Sequence, residues 1–359
     1  MHEEFGKELR SAVQNGDSEK VQELLSPLAE EERVAAINTT PWGYTLLIEA
    51  ACNGHDAVVE AILESITNED SRIDVLNSKA GSETALMNAA YHGHVAVVRA
   101  ILKYTPAHRY IDVISVHDRQ KNTALVLAAM SGHAEVVRTI LESITNEDSR
   151  IDVLNRKNDN MHTALILAAY HGHDAVVEAI LESITDENSR IEVLNTKDGS
   201  NKTALMYAAR DGHVKVVTAI LDSIPKHRLG DVLNVKNNFG RTALDIDKSR
   251  GNTSVLKALK YADAFCRNLS IYQARKEGLD TIDYAQQLLD NGKLSLWDRL
   301  YLFLTGHFKL AFAFSNPKVT NKAERGSQGV STGGGGVAYD LDHSHTTPSL
   351  DTTRSRVHQ

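Results

Sequence analysis

Apolar residues recur along this chain in blocks whose spacing fits α-helices. The stretch TALMNAAYHGHVAVVRAIL begins at Thr84 and contains two such blocks, separated by a glycine. In the second block Val97, Val98 and Ile101 fall on one face of a helix. A threonine suits the N-cap of the first block, and the glycine suits a left-handed turn at its end. The pattern therefore predicts two short helices joined at the glycine.

The same double block returns along the chain at a nearly constant interval. Copies begin at Thr45, Thr84, Thr123, Thr163 and Thr203. Their Gly-His pairs are separated by 39, 39, 40 and 40 residues. A fixed period in this range is typical of stacked arrays, in which each unit buries its apolar face against its neighbours. We therefore expect an elongated array of about seven helical units.

The repeated pattern resembles the ankyrin repeat, whose core reads T-P-L-H-x-A-A-x-x-G-H-x-x-V-V-x-x-L-L. The resemblance extends over roughly residues 1–260 and implies an all-α solenoid of stacked helix pairs. One departure concerns the histidine of T-P-L-H. An apolar residue replaces it in each copy, namely Ile48, Met87, Val126, Ile166 and Met206. We therefore expect packing, more than hydrogen bonds, to hold neighbouring repeats together.

Each copy is also longer than the usual ankyrin repeat of about 33 residues. The extra residues follow the second helix, and the segment Ser65–Asn77 is identical to Ser143–Asn155. Such a segment predicts one extra short helix per repeat on the outer side. Thr67 is its expected N-cap, and in a neighbouring copy Pro106 is the expected first helical residue.

The composition predicts four regions. Residues 1–40 are expected to form a degenerate N-terminal capping repeat, and residues 41–261 the ankyrin repeats. Residues 262–314 are expected to be a helical C-terminal region, and the Ser-, Thr- and Gly-rich residues 315–359 a disordered tail. Three interpretations of the aromatic segment 294–314 stay open. The interpretation we favour is a cap folded over the last repeat. The alternatives are a membrane-surface helix and a docking site for a partner helix.

Charge and hydropathy narrow the range of partners. The formal net charge of −8 argues against a nucleic-acid partner. No stretch offers the roughly 20 uncharged apolar residues of a membrane span, so we expect no stable membrane insertion. The N-terminal residues lack the apolar core of a signal peptide, and the two cysteines stand in separate elements. A cytoplasmic location is the resulting expectation.

The sequence contains no pattern typical of catalysis or of cofactor binding. The Gly-His histidines recur once per repeat, about 10 Å apart by ordinary helix spacing. That separation is too large for a shared zinc ion, whose ligands lie about 2 Å from the metal. No phosphate-binding glycine loop, zinc-protease helix or nucleophile elbow occurs. We therefore predict no metal, no cofactor and no enzymatic activity. The alternative is an enzyme or a membrane-surface module carried by residues 262–314.

The resemblance implies that the first helices line a concave groove, with the connecting loops projecting beyond them as fingers. The matching positions predict a protein-binding site made of Asn88, Tyr91, His92, Leu127, Met130, Leu167, Tyr170, His171, Tyr207 and Arg210. An exposed apolar row across four repeats favours a partner protein. Alternatively, Tyr91 and Tyr170 only pack against neighbouring helices.

The resulting hypothesis is a monomeric, non-catalytic scaffold that binds another protein through this groove and its loop tips. The long repeats and the polar C-terminus also resemble ankyrin proteins of intracellular bacteria. Some proteins of that kind are effectors that are delivered into a host cell. This second resemblance therefore implies a location inside a host cell.

Overall fold

The computed structural model describes residues 2–39 and 43–276. All regular structure in these residues is helical and consists of 20 α-helices and two short 3₁₀ turns. Extended pairing within them is limited to two isolated bridges, Ala80–Glu83 and His117–Thr123. The all-α repeat architecture predicted from the sequence is confirmed.

The helices follow one another in groups of three, and each group is one repeat. The first helices of repeats one to seven are α1 His2–Gln14, α4 Leu46–Asn53, α7 Ala85–His92, α10 Ala124–Ser131, α13 Ala164–His171, α16 Ala204–Asp211 and α19 Ala243–Arg250. The second helices are α2 Ser18–Leu25, α5 Asp56–Glu64, α8 Val95–Lys103, α11 Ala134–Ser143, α14 Asp174–Glu182, α17 Val214–Asp222 and α20 Thr253–Lys276. The third helices are α3 Glu30–Asn38, α6 Glu69–Asn77, α9 Tyr110–Ile114, α12 Glu147–Leu154, α15 Glu187–Asn195 and α18 Leu229–Leu233. The first and second helices each pack against their counterparts in the adjacent repeats.

Local chemistry sets both ends of the first helices, as the sequence predicts, except that Thr203 at the start of α16 makes no side-chain cap hydrogen bond. In α7 the hydroxyl of Thr84 accepts a hydrogen bond from the backbone N–H of Met87 at 3.3 Å. The helix ends at Gly93, whose φ of +77° lies in the left-handed region. Val97, Val98 and Ile101 of the following helix are fully buried. Each such side chain contributes about 1.5–3 kcal/mol when it is removed from water.

Histidine side chains link each repeat to the one before it. The Nε2–H of His94 donates to the backbone carbonyl of Cys52 at 3.0 Å, because a carbonyl can only accept. The four other Gly-His histidines make the equivalent bond at 3.0–3.1 Å. The expectation that packing holds the repeats together more than hydrogen bonds do stays a prediction, because both kinds of contact occur between repeats. The inter-repeat hydrogen bond is made by the histidine after the glycine.

The glycines of the Gly-His pairs make room for these rings. A Cβ atom on Gly93 would lie 2.5 Å from Nδ1 of His133 in the next repeat. Gly54 meets the ring of His94 in the same way, at 2.8 Å. The glycine is therefore required both by its left-handed backbone and by the close approach of the neighbouring ring.

The predicted extra helix is present in each of repeats one to six, but its start differs from the prediction. The N-cap of α6 is Asn68, whose Oδ1 accepts from the backbone N–H of Ser71 at 2.9 Å. Thr67 is not the cap, because its hydroxyl donates to the carboxylate of Glu30 in the preceding repeat. Pro106 likewise precedes its helical turn, which begins at Ala107, and is not the first residue of it.

Arginines of the third helices bind backbone carbonyls in two repeats at once. Arg190 donates to the carbonyl of Ile184 in its own repeat and, at 2.9 Å, to that of Ser223 in the next. Arg33, Arg72 and Arg150 make the corresponding pair of contacts. The extra helices therefore supply a second set of inter-repeat hydrogen bonds.

The predicted domain limits are only partly covered by the described residues. The limit between residues 261 and 262 falls inside α20, which continues to Lys276. The rest of the C-terminal region, the aromatic segment 294–314 and the tail 315–359 lie outside the described residues. None of the helices formed by residues 2–39 and 43–276 has the length and apolarity needed to cross a membrane.

Candidate protein-binding surface

The first helices of repeats three to six, α7, α10, α13 and α16, are buried except in their last turn. In α7 the residues from Ala85 to Ala90 are buried, whereas Tyr91 and His92 are exposed. In α13 the exposed pair is Tyr170 and His171. These two pairs lie two repeats apart and have the same internal geometry. The rings of Tyr91 and His92 meet edge to face at 5.1 Å, and those of Tyr170 and His171 at 4.8 Å.

Four of the predicted site residues are buried, and the expected continuous exposed row is wrong at these positions. Asn88, Leu127, Leu167 and Tyr207 each expose 6% of their surface. All four occupy the fourth position of a first helix, and these helices pack against the first helices of the adjacent repeats. The amide of Asn88 even turns back to the backbone, donating to the carbonyl of Thr84 at 3.0 Å.

The six other predicted residues are accessible. Tyr91 exposes 48% of its surface and Tyr170 exposes 40%, while Met130 and Arg210 are half-buried. The structure thus divides the predicted site into two layers. The outer layer consists of Tyr91, His92, Met130, Tyr170, His171 and Arg210. The four buried residues lie beneath it.

Repeats five and six bring two tyrosines and an arginine together. The rings of Tyr170 and Tyr207 meet edge to face at 5.6 Å. The guanidinium of Arg210 lies 5.1 Å from the centre of the Tyr170 ring and 4.7 Å from that of Tyr207. Arg210 is also bound to Asp211, from its Nε to the carboxylate at 2.8 Å. Tyr170 is therefore an exposed aromatic side chain with fixed neighbours.

A buried carboxylate forms a hydrogen bond with this cluster. The hydroxyl of Tyr207 donates to Oδ2 of Asp198 at 2.7 Å, and backbone N–H groups of Ser200 and Lys202 donate to Oδ1. Burial alone would raise the pKa of Asp198, but these hydrogen bonds outweigh it and lower that pKa below its ordinary value of 3.8. Burial and the bond to Asp198 raise the pKa of Tyr207. Asp198 is thus a carboxylate anion whose two oxygens both accept hydrogen bonds.

The half-buried ring of His162 completes the cluster. Its Nε2 lies 3.3 Å from the hydroxyl of Tyr207. Burial lowers the pKa of His162, and the nearby charges of Lys202 and Arg210 lower it further against the opposing effect of Asp198. The imidazole is consequently neutral at physiological pH and can share a hydrogen bond with the tyrosine hydroxyl.

The loops before the first helices are here called the finger loops, and those of repeats four to seven share one turn structure. In residues 156–162 the side chain of Asn158 accepts from two backbone N–H groups farther along the loop. Three residues after it, Met161 has a φ of +60° and is 45% exposed. Gly240 occupies the same position in repeat seven, preceded by Phe239, which is 78% exposed. Sequence reasoning missed these apolar tips, although an apolar residue among polar loop residues was a visible signal.

Sequence profiles of known families match most of the repeat region. A profile described as ankyrin repeats in three copies matches residues 9–112 and 110–191, and an ankyrin-repeat profile matches residues 200–237. Together they cover more than half of the 359 residues. The chain belongs to the ankyrin repeat family. A search of characterised protein sequences returned no match.

Membership in the ankyrin repeat family indicates a protein–protein interaction module, and ankyrin repeats are typically non-catalytic. Within the described ranges, His, Cys, Asp and Glu side chains nowhere gather in groups of three that could hold a metal ion. In the ankyrin repeats of this chain the Gly-His histidines instead serve as hydrogen-bond donors between repeats.

Proposed function

We propose that this chain is a non-catalytic scaffold that binds another protein along the surface formed by the last turns of its first helices and by its finger loops. One observation carries the proposal. Tyr170 exposes 40% of its surface, yet Tyr207 and Arg210 fix its ring on two sides. A large aromatic group that is already ordered loses little conformational entropy on binding, and so makes an effective anchor.

The composition of the outer layer also supports this proposal. Its two tyrosines, its methionine and its arginine are residue types enriched where proteins bind one another. Hot-spot residues of this kind usually account for most of the affinity of an interface. The buried layer, with Tyr207 bound to Asp198, then acts to position the anchors and does not touch the partner itself.

The remaining parts of the hypothesis extend this proposal. A monomer in the cytoplasm, or an effector delivered into a host cell, would each present the same surface to a protein partner. An enzyme or membrane-surface module in residues 262–314 is the alternative, and that region lies mostly outside the described residues.

The proposal is tested by affinity capture from a cell lysate with quantitative mass spectrometry. The variant is Tyr91→Ala combined with Tyr170→Ala. The control is Glu178→Ala with Lys215→Ala, two exposed residues of the second helices. We expect specific partners of the unaltered chain to be retained by the control and depleted at least tenfold by the tyrosine variant. Partners lost with the control and kept with the tyrosine variant would place the binding surface on the second helices.

A further inference from the structure

Basic side chains are concentrated in the finger loops of repeats four to seven. Six of them make no ion pair with any described residue, and together we call them the basic edge: Arg119, Arg156, Lys157, Lys197, Lys236 and Arg241. Lys157, Lys197 and Lys236 occupy the same position in three successive loops, immediately before the buried Asx residue of each turn. The chain as a whole carries a net charge of −8, so this local excess of positive charge is not a general property of its surface.

The acidic residues of the same loops are already engaged. Asp118 accepts from the backbone N–H groups of Gln120 and Asn122 at 2.8 Å. Asp159 pairs with Lys121 at 3.1 Å, and Asp198 has the donors described above. The carboxylates of the loops therefore shape the turns or neutralise a different lysine, and leave the six cations of the basic edge without a counter-charge.

Direct contacts between successive loops make the basic edge continuous. The backbone N–H of Asp159 donates to the carbonyl of Gln120 at 2.9 Å, and that of Asn238 donates to the carbonyl of Ser200 at 3.2 Å. The amide of Asn158 donates to Oδ1 of Asn122 at 2.9 Å. Hydrogen bonds thus bridge two of the three boundaries between these four loops, and at the middle boundary a Cβ atom on Gly199 would lie 3.8 Å from Cγ of Met161.

Two exposed apolar side chains lie on the same loops. Met161 is 45% exposed on a backbone conformation that glycine adopts more easily, and Phe239 is 78% exposed. A ligand that matches this surface therefore needs both negative charge and apolar side chains. An acidic polypeptide segment that also carries aliphatic or aromatic residues has this combination.

We propose that the basic edge binds an extended acidic segment of the partner protein, with apolar side chains of that segment against Met161 and Phe239. This inference rests on the proposed function and names the chemistry of the partner. Neighbouring repeats are about 10 Å apart, and an extended chain advances about 3.3 Å per residue. The bound segment consequently carries an acidic residue at about every third position over three repeats.

The distribution of charge on the rest of the molecule favours an acidic polypeptide over a nucleic acid. Two of the third helices, α6 and α12, are acidic at their starts, with Glu69, Asp70, Glu147 and Asp148 in their first turns. A long polyanion that runs past the basic edge meets this negative field, whereas a short acidic segment is confined to the edge. Nucleic acid and anionic membrane are therefore outcomes that the experiment must distinguish.

The experiment selects ligands from a display library of random 16-residue peptides with the full chain as bait. Enriched peptides are synthesised with a fluorescent label, and their affinity is measured by fluorescence anisotropy at two salt concentrations. We expect enriched peptides with net negative charge, acidic residues at a spacing of about three and at least one large apolar residue. Their affinity should fall as salt increases.

Matched charge variants test the location of the site. Lys157→Glu, Lys197→Glu and Lys236→Glu combined should weaken binding at least tenfold. The control Arg99→Glu, Lys257→Glu and Lys260→Glu changes the net charge equally on exposed positions of the second helices, and should change affinity less than twofold. The triple variant with glutamine at the three loop positions removes the charges without reversing them, so it should give an intermediate loss of affinity. It also serves as a control in case the glutamate variant misfolds, which circular dichroism checks as well.

Several results would overturn the inference. Neutral or basic enriched peptides would contradict it, as would equal losses in the loop and control variants. Tighter, loop-dependent binding of a 20-nucleotide oligouridine or of phosphatidylserine vesicles would assign the edge to another class of ligand. Peptides that lose affinity with Tyr91→Ala and Tyr170→Ala, but not with the loop variants, would keep the proposed function and reject the acidic ligand. Failure to enrich any peptide would contradict the acidic ligand, whereas the proposed function is tested separately by the lysate capture.

Discussion

His213 donates a hydrogen bond from Nε2 to the backbone carbonyl of Tyr170 at 3.0 Å. The bond joins the second helix of repeat six to the exposed tyrosine of repeat five. His133 makes the same bond to the carbonyl of Tyr91, also at 3.0 Å. The residues that hold successive repeats together therefore also fix the backbone of the two exposed tyrosines, so stacking and presentation of the binding surface depend on the same contacts.

Removal of one of these bonds should destabilise the stack. His213→Ala leaves the carbonyl of Tyr170 without its partner and opens space beside Gly172. We expect a loss of about 1–2 kcal/mol in the free energy of unfolding, measured by urea denaturation.

Asparagine provides a matched control for this histidine. Asn252 occupies the equivalent position of the last repeat and donates to the carbonyl of Ala209 at 3.2 Å. His213→Asn should therefore recover a large part of the stability lost in His213→Ala. Equal stability of the alanine and asparagine variants would show that the hydrogen bond contributes nothing.

The bond between Tyr207 and Asp198 predicts a pH-dependent effect. Tyr207→Phe removes one donor from a carboxylate that is 7% exposed, and we expect a loss of about 1–3 kcal/mol at neutral pH. The folded pKa of Asp198 is lowered below 3.8, so the stability that this carboxylate contributes is present above pH 3.8 and is lost as the pH falls through the folded pKa. The difference between wild type and variant should therefore shrink as the pH falls from 5 towards 3.

Thermal or urea denaturation across this pH range measures the effect. The control is Tyr91→Phe, whose hydroxyl makes no hydrogen bond to the described residues and should be silent. A difference that stays constant down to pH 3 would show that Asp198 is not the group involved.

The side chain of Met161 should lower the stability of the chain but raise its affinity for the peptide. Its φ of +60° is unfavourable for a side chain with a Cβ atom, so Met161→Gly should stabilise the chain by about 1 kcal/mol. Because the exposed methionine is lost, affinity for the selected acidic peptide should fall at least threefold. Asn201→Gly, at the equivalent position of the next finger loop with a φ of +57°, is the control and should retain affinity. Unchanged affinity of Met161→Gly would remove Met161 from the interface.

The parts of this fold that depend on local chemistry could be predicted from the sequence. Thr84, Gly93 and the pair Val97 and Val98 act within their own repeat, so their roles follow from residue type and spacing. The fourth position of each first helix could not be assigned, because its burial depends on neighbouring helices. An apolar residue such as Leu127 fits both a buried core position and an exposed binding position. Only its neighbours in the folded stack determine that it is buried.

The start of the third helix shows the same limit. Thr67 and Asn68 are both good N-cap residues, and their order in the sequence favours neither. The choice depends on Glu30, which lies one repeat earlier and accepts from the hydroxyl of Thr67. A contact across a whole repeat decides the cap, and a local pattern does not contain it.

The central claim is that a partner covers the last turns of the first helices and the tips of the finger loops. Hydroxyl-radical footprinting with mass spectrometry tests it most directly, with the captured partner or selected peptide present and absent. The account predicts reduced oxidation of Tyr91, Met130, Met161, Tyr170 and Phe239 in the complex. It predicts no change at Tyr261, which is 66% exposed on α20. Protection of Tyr261 with unchanged oxidation of Tyr91 and Tyr170 would contradict it.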